Sequence, residues 1–461
     1  MLRILLVNAP AREVRDEPII VPPLGLACLA AVAREAGHDV SIIDAFAESL
    51  NWKAFAERVA QSRYDVIGFT GMTPVFDTTK RAISICRPHA DVTVLGGPHA
   101  TAMRKSVLDD NPDLDYAIYG EGEETFLEFL SAVERGEVDS IIPGVITRDG
   151  TGSARQLRRN LDDLPFPARD LLPNRNYRYP LSGSARITTI ITSRGCPYDC
   201  VFCDKNVFGS QWRARSADNV LAEIDEVVSK YDIQSIIFYD DLFTLKKERL
   251  REICEGLIER KYDISWKAEG RVDLVDEEML VLMKRAGCDT LAYGVESANQ
   301  AGLDYLGKRT TPDMAREAFR KTRAAGIRTT AYFILGIPVE TYDDALNSVR
   351  FAIDIKADYA QFSVLSPLPG TRLYQEAKEK GWYHEIAAHN ISDKDLLRPV
   401  LLSDNWDEEK LISIVREAHR KFYLRPSYMI RSLLRVRSLG VLRKMIALGF
   451  DMVKYAFGFK R

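Results

Sequence analysis

Three cysteines, Cys196, Cys200 and Cys203, lie close together in the chain with the spacing C-x3-C-x2-C. Thiols this close do not form orderly disulfides with one another, but three thiolates can hold three corners of a cubane iron–sulfur cluster. The next cysteines along the chain are Cys254 and Cys288, so no fourth ligand is close by. A structural zinc site or a plain electron-transfer cluster normally uses four ligands, whereas an open metal position is typical of catalysis. The spacing therefore predicts a catalytic cluster.

The segment that carries these cysteines runs from Thr192 to Cys203 and reads Thr-Ser-Arg-Gly-Cys-Pro-Tyr-Asp-Cys-Val-Phe-Cys. It resembles the cluster motif of the radical S-adenosylmethionine (SAM) superfamily. The resemblance implies a 4Fe-4S cluster whose open iron takes the amino and carboxylate groups of SAM. It also implies an external one-electron donor of flavodoxin or ferredoxin type, because an electron from the cluster breaks the sulfonium carbon–sulfur bond.

The elements that must position the cysteines are alternating strands and helices. Six strands are predicted, at residues 187–192, 235–239, 265–268, 290–295, 329–335 and 361–365. Helices are predicted between them, including 219–231, 277–286, 312–325 and 342–355. This alternation predicts a partial (β/α)6 barrel over residues 185–375, whose active site lies at the carboxyl ends of its strands.

Several residues, one between the last two cysteines and the others at those strand ends, are implied by the resemblance to contact SAM. They are Phe202 near the adenine, Asp240 at the amino group, Arg271 after the third strand, Glu296 and Ser297 at the ribose and methionine ends, and Gly336 in the loop along the adenine. Carboxylates suit hydroxyl and ammonium groups, and a guanidinium suits a carboxylate. Each residue also has a structural alternative as a helix cap or turn, and Arg271 has the alternative of a buried ion pair with a barrel carboxylate.

The first third of the chain is predicted to be a separate α/β domain. Strands at 3–7, 39–44, 65–70, 91–95 and 115–119 alternate with helices at 22–36, 52–62, 76–86 and 123–133. Continuous Val, Ile and Leu strands between helices favour a parallel sheet covered on both faces. Ligands of such sheets bind beyond the carboxyl ends of the strands.

This domain, over residues 1–140, resembles the cobalamin-binding domain of cobalamin-dependent radical SAM proteins. The resemblance is carried by Pro22-Pro23-Leu24-Gly25, by the loop 95–99 and by the loop 119–123. It implies a Rossmann-like fold whose loops cradle a corrinoid at Thr70, Gly71, Gly96, Gly97, Gly120 and Gly122.

The chain departs from one cobalamin-binding pattern, because residues 8–13 contain no histidine to bind cobalt. Two interpretations stay open at this point. Either cobalamin binds without a protein histidine, as is common in the radical SAM branch, or the domain has lost the cofactor. We expect His99 to be a loop residue rather than a cobalt ligand, although it lies at the ligand edge.

The remaining segments are a connector at 141–184, rich in proline near residues 162–173, and a helical region at 376–461. From residue 425 to the end there are nine basic residues and one acid, interleaved with Leu, Met, Phe and Tyr. This pattern fits a basic amphipathic helix on an anionic membrane surface. It equally fits a helix that packs its apolar side on the barrel. The membrane interpretation favours a lipid or tetrapyrrole-like substrate.

The composition limits the remaining choices. The chain has 461 residues, 46% hydrophobic and 28% charged, with a net charge of −3, which is typical of a soluble protein of several domains. It shows no basic surplus or module that would favour nucleic acid. Seven cysteines are too sparse for a disulfide scaffold, so a reducing cytoplasm is expected. The apolar run at 19–33 is interrupted by Pro22-Pro23 and falls short of the roughly 20 residues of a membrane span.

Taken together, these features resemble the cobalamin-dependent radical SAM enzymes. The first hypothesis is a methyltransferase that acts on an unactivated carbon of a small molecule through a 5′-deoxyadenosyl radical and methylcobalamin. The alternative is an oxidative cyclase or rearrangement enzyme that transfers no methyl group, and a third is a non-enzymatic redox sensor. A methylthiotransferase is disfavoured because its first domain needs extra cluster cysteines, and only Cys28 and Cys86 are present there.

Overall fold

The structure, a computed structural model, describes residues 1–11, 19–138, 141–179, 182, 185–384 and 401–434, with side chains described to residue 430. Its two large sheets are joined by a connector that packs against both. The α/β architecture, with an N-terminal Rossmann-like domain, a partial six-stranded barrel and C-terminal helices, confirms the fold predicted from the sequence.

The N-terminal sheet has the order β2-β1-β3-β4-β5-β6, in which the first five strands are parallel and β6 is antiparallel to β5. Its strands are β1 Arg3–Asn8, β2 Asp39–Asp44, β3 Tyr64–Thr70, β4 Ala90–Gly96, β5 Tyr116–Ile118 and β6 Val145–Ile146. Its helices are α1 Leu24–Glu35, α2 Trp52–Val59, α3 Phe76–Cys86, α4 Pro98–Met103, α5 Ser106–Asp109 and α6 Glu123–Arg135.

Strand β1 shows why this sheet is buried on both faces. Successive side chains of a strand point to opposite faces. Ile4 and Leu6 lie in one apolar cluster, which includes α1, while Leu5 and Val7 lie in the other. All four are at most 1% exposed. Apolar residues at every position are therefore required, as expected for a parallel sheet between two layers of helices.

The connector is more structured than the sequence indicated. β6 lies beyond residue 140, where the connector was expected to begin, and it extends the N-terminal sheet. Further along, Tyr177 donates from its hydroxyl to Asp44 over 2.8 Å at the N-terminal domain. Arg169 is 1% exposed and pairs with Glu223 over 2.6 Å beneath the barrel. The connector is thus anchored in both domains.

The second sheet has six parallel strands in the order β7-β10-β11-β12-β13-β14. The strands are β7 Ile187–Ile190, β10 Ser235–Phe238, β11 Ser265–Gly270, β12 Cys288–Glu296, β13 Arg328–Leu335 and β14 Tyr359–Val364. A short hairpin, β8 Ser193–Arg194 and β9 Arg213–Ala214, follows β7. The helices are α7 Ala217–Tyr231, α8 Lys247–Arg260, α9 Glu277–Arg285, α10 Gln300–Leu306, α11 Pro312–Ala324, α12 Tyr342–Asp354 and α13 Arg372–Glu379.

The C-terminal region contributes α14 Glu408–Tyr423 and α15 Pro426–Leu434. The apolar face of α14, including Leu411, Ile414 and Phe422, is buried in the same core as the barrel helices. Residues 435–461, which carry most of the predicted basic tail, lie outside the described residues. Among the helices that the structure describes, none combines the length and apolar character that a membrane crossing requires.

Candidate active site

The cluster loop, residues 195–203, leaves the hairpin at Gly195. Gly195 has a φ of +84°, and a Cβ there would lie 2.4 Å from the carbonyl oxygen of Gln211 in the returning chain. Only glycine has both the backbone freedom and the space for this turn. The three cysteines follow directly, so the hairpin determines where the loop begins.

The three thiols of the loop are free to serve as ligands of a cubane cluster. All seven cysteines lie among the described residues and none is in a disulfide; Cys196 and Cys200 are partly exposed and Cys203 is exposed. Burial raises the pKa of the Cys200 thiol, while Lys308 and Arg271 act to lower it. Within the described ranges, no three His, Cys, Asp or Glu side chains converge on one ion. A cubane does not require this, because each thiolate binds a different iron.

Asp240 supports the loop from below. It is 3% exposed, its Oδ1 accepts from the Thr192 backbone N–H over 2.6 Å, and its Oδ2 accepts from the Thr192 and Ser193 hydroxyls over 2.5 and 2.6 Å. Burial raises the pKa of Asp240, and these hydrogen bonds oppose that shift. Because both oxygens are occupied, the structure gives Asp240 a supporting place rather than the direct contact with the SAM amino group that the sequence implied. The neighbouring Asp241 is exposed and accepts from the Gly195 N–H over 2.8 Å.

Arg271 contacts the cluster loop through an aromatic ring. Its guanidinium lies 3.6 Å from the centre of the Tyr198 ring and pairs with Asp273 over 2.9 Å. It also donates to the carbonyl oxygen of Lys308 over 2.9 Å. Arg271 is therefore held in an ion pair, but its partner is the exposed Asp273 in the loop after β11 rather than a buried carboxylate of a barrel strand.

Glu296 ends β12 in a left-handed backbone conformation, and its side chain forms a buried ion pair with Lys308. Its φ is +65°, and its Oε1 accepts from Lys308 Nζ over 2.7 Å. A Cβ at Gly294 would lie 2.3 Å from Glu296 Oε1 and 2.6 Å from Lys308 Nζ. Gly294 therefore provides the space for this buried ion pair at the mouth of the barrel.

Ser297 is fully buried and directs its hydroxyl to Glu340. Its Oγ also accepts from the Asn299 backbone N–H over 2.9 Å. Glu340 is 1% exposed, and burial raises the pKa of its carboxyl. The structure thus places Ser297 beneath the strand end, in a polar cluster with Glu340.

The loop after β13 is held by the C-terminal region. Gly336 has a φ of +82°, and a Cβ there would lie 2.4 Å from Leu411 of α14. Trp406 Nε1 donates to the carbonyl oxygen of Ile337 over 2.9 Å. Phe202 packs in the same apolar cluster as Ile337. The structure therefore brings Phe202 and the Gly336 loop together, and Trp406 is a supporting residue that the sequence did not reveal.

The inner wall of the barrel carries polar residues that were not predicted as site residues. Tyr332 donates from its hydroxyl to Glu269 over 3.0 Å, and Lys267 Nζ donates to the Tyr179 hydroxyl over 2.8 Å. On β11, Lys267 and Glu269 alternate with Trp266 and Ala268, which belong to the core under the helices. The alternation of polar and apolar residues along β11 is the sequence signal that could have identified these inner-wall residues, because inward and outward positions of a barrel strand alternate.

Four of the six predicted corrinoid-loop residues meet at one edge of the N-terminal sheet. The Gly71 N–H donates to the Gly96 carbonyl oxygen over 3.1 Å. Gly97 has a φ of +92°, and a Cβ there would lie 2.9 Å from Thr70 Oγ1. Gly71 is buried against Phe76 and Leu95, whereas Gly96 and Gly97 are partly exposed and present backbone at this edge, which fits a ligand that approaches closely.

His99 follows the Gly96–Gly97 loop and packs against Phe76 and Thr73. Its ring stacks on Phe76 with centroids 3.8 Å apart, and its Nδ1 lies 3.1 Å from Thr73 Oγ1. The side chain is held between an aromatic ring and a hydroxyl, and the residue is 8% exposed. His99 lies in the first turn of α4 rather than in the loop where it was expected, and its side chain is engaged by Phe76 and Thr73.

The other two predicted residues lie in the loop after β5. Gly120 has a φ of +77° with open space around its Cβ position, and its N–H donates to Thr101 Oγ1 over 3.1 Å. A Cβ at Gly122 would lie 3.1 Å from the Leu29 side chain of α1. Gly120 thus faces free space, whereas Gly122 allows close helix packing.

Two carboxylates, Glu121 in this loop and Glu123 at the start of α6, form ion pairs with arginines of the hairpin that precedes the cluster loop. Glu121 pairs with Arg213 over 2.8 Å and Glu123 with Arg194 over 2.6 Å. Burial alone would raise the pKa of Glu123, but Arg194, together with a backbone N–H and Arg158, holds that pKa below its ordinary value. We call Glu121, Glu123, Arg194 and Arg213 the interdomain clasp.

Comparisons with known proteins agree with this geometry. Residues 190–352 match the family model of the radical SAM superfamily, and residues 18–130 match that of the B12 binding domain. A Pyrococcus horikoshii protein named "Uncharacterized methyltransferase PH0819" is 33% identical over 94% of this chain and 95% of its own length. The anaerobic magnesium-protoporphyrin IX monomethyl ester cyclase of Rubrivivax gelatinosus is 28% identical over 95% of this chain and 81% of its own.

Among solved structures, the cobalamin-dependent SAM radical enzyme OxsB, with aqua-cobalamin and SAM bound, has a TM-score of 0.76 and 18% identity. The match covers 99% of this chain and 72% of that one, and it shows a shared fold.

A barrel with a three-cysteine loop, joined to a domain with a glycine-lined ligand edge, defines a radical SAM enzyme with a B12 binding domain. The chain belongs to the cobalamin-dependent radical SAM enzymes. The family inferred from the sequence is confirmed, and so are its cofactors, a 4Fe-4S cluster, SAM and cobalamin.

Proposed function

We propose that this protein is a methyltransferase that adds a methyl group to an unactivated carbon of a small molecule. The observation that carries the proposal is the likeness to the Pyrococcus horikoshii protein named a methyltransferase, which extends over 94% of this chain and so includes both cofactor domains. The barrel mouth and the corrinoid edge are also joined through buried ion pairs, as a reaction that uses both cofactors would require.

The chain's own residues have distinct parts in this proposal. Bound together, the cofactors supply reductive cleavage of SAM and delivery of a methyl group from cobalamin. Cys196, Cys200 and Cys203 would hold the cluster, and Asp240 would fix the start of their loop. The SAM residues are Phe202, Arg271, Glu296, Ser297 and Gly336, and the corrinoid residues are Thr70, Gly71, Gly96, Gly97, Gly120 and Gly122.

Arg271, Glu296 and Ser297 are buried and already bonded to protein partners. We therefore propose that they shape the SAM site by holding loops and strand ends, while exposed groups such as Asp241 face the cofactor. This division follows from hydrogen-bond capacity, because the Arg271 guanidinium, the Ser297 hydroxyl and Oε1 of Glu296 already have protein partners.

The substrate would lie against the inner wall of the barrel. Tyr239 is 41% exposed there, and Glu269 and Tyr332 are partly exposed beside it. Aromatic faces next to a carboxylate and hydroxyls suit a flat or apolar molecule with polar substituents, which includes lipid-derived and tetrapyrrole-like compounds.

A cyclase or rearrangement enzyme without methyl transfer is the second candidate. It is favoured by the likeness to the Rubrivivax gelatinosus cyclase over 95% of this chain. The two functions place the same demands on the cofactor residues, and they differ in what happens to the methyl group of SAM.

The test is anaerobic reconstitution with iron, sulfide and hydroxocobalamin, followed by an assay of SAM products with a flavodoxin or ferredoxin reductant. We expect bound corrinoid near one equivalent, with both S-adenosylhomocysteine and 5′-deoxyadenosine formed. Corrinoid with 5′-deoxyadenosine alone would support the cyclase instead. Absence of corrinoid would contradict both functions and leave the first domain structural.

We also propose a cytoplasmic protein that contacts membranes peripherally through residues 425–461. The support is the basic surplus of this segment, which attracts anionic lipid surfaces. Co-sedimentation with anionic liposomes should fall when residues 435–461 are deleted and should be unaffected with neutral liposomes. Equal sedimentation of the full and shortened chains would contradict the proposal.

A further inference from the structure

The interdomain clasp joins four side chains into one buried network. Arg213 forms two hydrogen bonds with the carboxylate of Glu121, over 2.8 and 3.0 Å, and Arg194 forms two with Glu123, over 2.6 and 3.3 Å. A further ion pair of 3.3 Å, from Arg194 to Glu121, connects the two halves. The four side chains are between 3% and 11% exposed.

The ends of the clasp lie at the two cofactor loops. Glu121 and Glu123 alternate with Gly120 and Gly122 in the loop after β5. On the other side, Arg194 and Arg213 face each other in the hairpin register. Arg194 is followed directly by the glycine turn that opens the cluster loop. Each end is therefore connected to its cofactor loop by very little chain.

The ion pairs of the interdomain clasp contribute more to the relative placement of the two loops than to the free energy of folding. Arginine–carboxylate pairs with two parallel hydrogen bonds are strong and geometrically specific. Burying two such pairs also costs desolvation, so a well-packed apolar contact would stabilise the interface as well. What the ion pairs add is a fixed relative placement of the loops that carry them.

We propose that the interdomain clasp couples the two cofactor sites, so that occupancy of the corrinoid loop is transmitted to the cluster loop. This rests on the proposed function in requiring that a corrinoid binds. Its four members are positioning residues, because their side chains are occupied by one another. Coupling between two sites is reciprocal, so cluster assembly must also strengthen corrinoid binding.

The experiment measures thiol reactivity in the protein before cluster assembly. The alkylation rates of Cys196, Cys200 and Cys203 are followed by mass spectrometry, with and without hydroxocobalamin. We expect corrinoid to slow alkylation about fivefold, because a coupling free energy at the lower end of the typical range lowers the population of the open, reactive loop by that factor. Arg194→Lys keeps the charge but loses the paired hydrogen bonds. In this variant the ratio of the alkylation rates without and with hydroxocobalamin should be close to one, while corrinoid still binds.

Arg34→Lys is the matched control, because Arg34 forms a similar two-bond pair with Asp170, over 2.6 and 3.0 Å, at a site without cofactor residues. It should behave like the unsubstituted protein. If Arg194→Lys does not fold, Glu121→Gln tests the other half of the clasp in the same way.

Full protection by corrinoid in Arg194→Lys or Glu121→Gln would overturn the coupling, because corrinoid would then shield the thiols directly. Unchanged alkylation in the unsubstituted protein with corrinoid visibly bound would overturn it too and would leave the proposed function intact. Absence of bound corrinoid would overturn the proposed function and the coupling with it.

Discussion

At the scale of single residues, Asp240 determines where the cluster loop starts. Its two oxygens accept three hydrogen bonds from Thr192 and Ser193, directly before the hairpin strand. A sequence motif can identify a carboxylate at the end of a strand, but it does not show which donors occupy it. For this reason Asp240 was expected beside SAM, while the structure places it under the loop.

The cluster cysteines give the first prediction. Cys→Ala at Cys196, Cys200 or Cys203 should abolish SAM cleavage and the visible absorbance of the cluster, because each thiolate holds one iron. Corrinoid binding should persist, since the loops of the N-terminal domain are unchanged. Cys254→Ala is the control, because Cys254 is buried in α8 and should keep both properties. Residual 5′-deoxyadenosine from the triple alanine variant would contradict the assignment.

Gly294 gives the second prediction. Gly294→Ala should destabilise the protein by about 1–3 kcal/mol, because the new Cβ displaces the buried Glu296–Lys308 pair. Chemical denaturation of the protein before cluster assembly measures this.

The control for that prediction is Gly25→Ala in α1, where nothing lies within 4 Å of the new Cβ. This change should be neutral or slightly stabilising. Equal stability of the two variants would show that the pair near Gly294 adjusts without cost.

At the scale of elements, α14 and the chain before it determine the shape of the loop after β13. The carbonyl oxygens of Ile337 and Pro338 accept from the side chains of Trp406 and Asn405. A helical C-terminal region was predicted from its pattern. Its contact with residues about seventy positions earlier was not, because nothing local in a sequence indicates a long-range hydrogen bond.

Trp406→Phe tests this contact. Trp406 is fully buried, so the change leaves the Ile337 carbonyl without its donor, at a cost of about 1–3 kcal/mol. We expect a higher KM for SAM with unchanged corrinoid stoichiometry. Trp382→Phe is the control, since Trp382 packs on the same apolar cluster but is only partly buried, and the donor to the Ile337 carbonyl oxygen is Trp406. An unchanged KM in Trp406→Phe would show that the loop keeps its shape without the bond.

The strands differ in how predictable they were. The six barrel strands and the first five N-terminal strands are apolar runs between helices, and they were found close to their observed bounds. β6 was missed because it has two residues, too few for any periodicity. Its place comes from antiparallel pairing with β5, which is a tertiary contact.

At the scale of the whole molecule, the two domains share an apolar cluster that includes Ile187 and Ile237 of the barrel, and charged groups join them around the cofactor loops. Glu121 and Glu123 were assigned to a corrinoid loop only as neighbours of its glycines. Their arginine partners, Arg194 and Arg213, lie far along the chain. Charge complementarity between domains becomes visible only when the fold brings the residues together.

This interface predicts an acid-sensitive stability. The pKa of Glu123 is lowered in the folded protein, so its contribution is present above its ordinary pKa and is lost as pH falls through the folded value. The melting temperature of the unsubstituted protein should therefore fall more steeply between about pH 5 and pH 3 than that of Glu123→Gln.

Glu134→Gln serves as the control for acid sensitivity, because Glu134 pairs with the amino terminus and with His38 at the protein surface, where solvent screens the charges. Its curve should run parallel to that of the unsubstituted protein to within a small offset. Coincident slopes for Glu123→Gln and the unsubstituted chain would mean that Arg194 does not stabilise the ionised carboxylate.

The linear order of the clasp residues has a consequence for synthesis. Domains generally fold from the amino end as the chain emerges. Glu121 and Glu123 leave the ribosome well before Arg194 and Arg213, so the N-terminal sheet can form while its two carboxylates are still hydrated. The two carboxylates form their ion pairs with the arginines only after the hairpin has been synthesised. The barrel strands then add to the second sheet in chain order, because each lies beside its predecessor. The nascent chain thus completes its corrinoid domain first and closes it against the cluster loop afterwards.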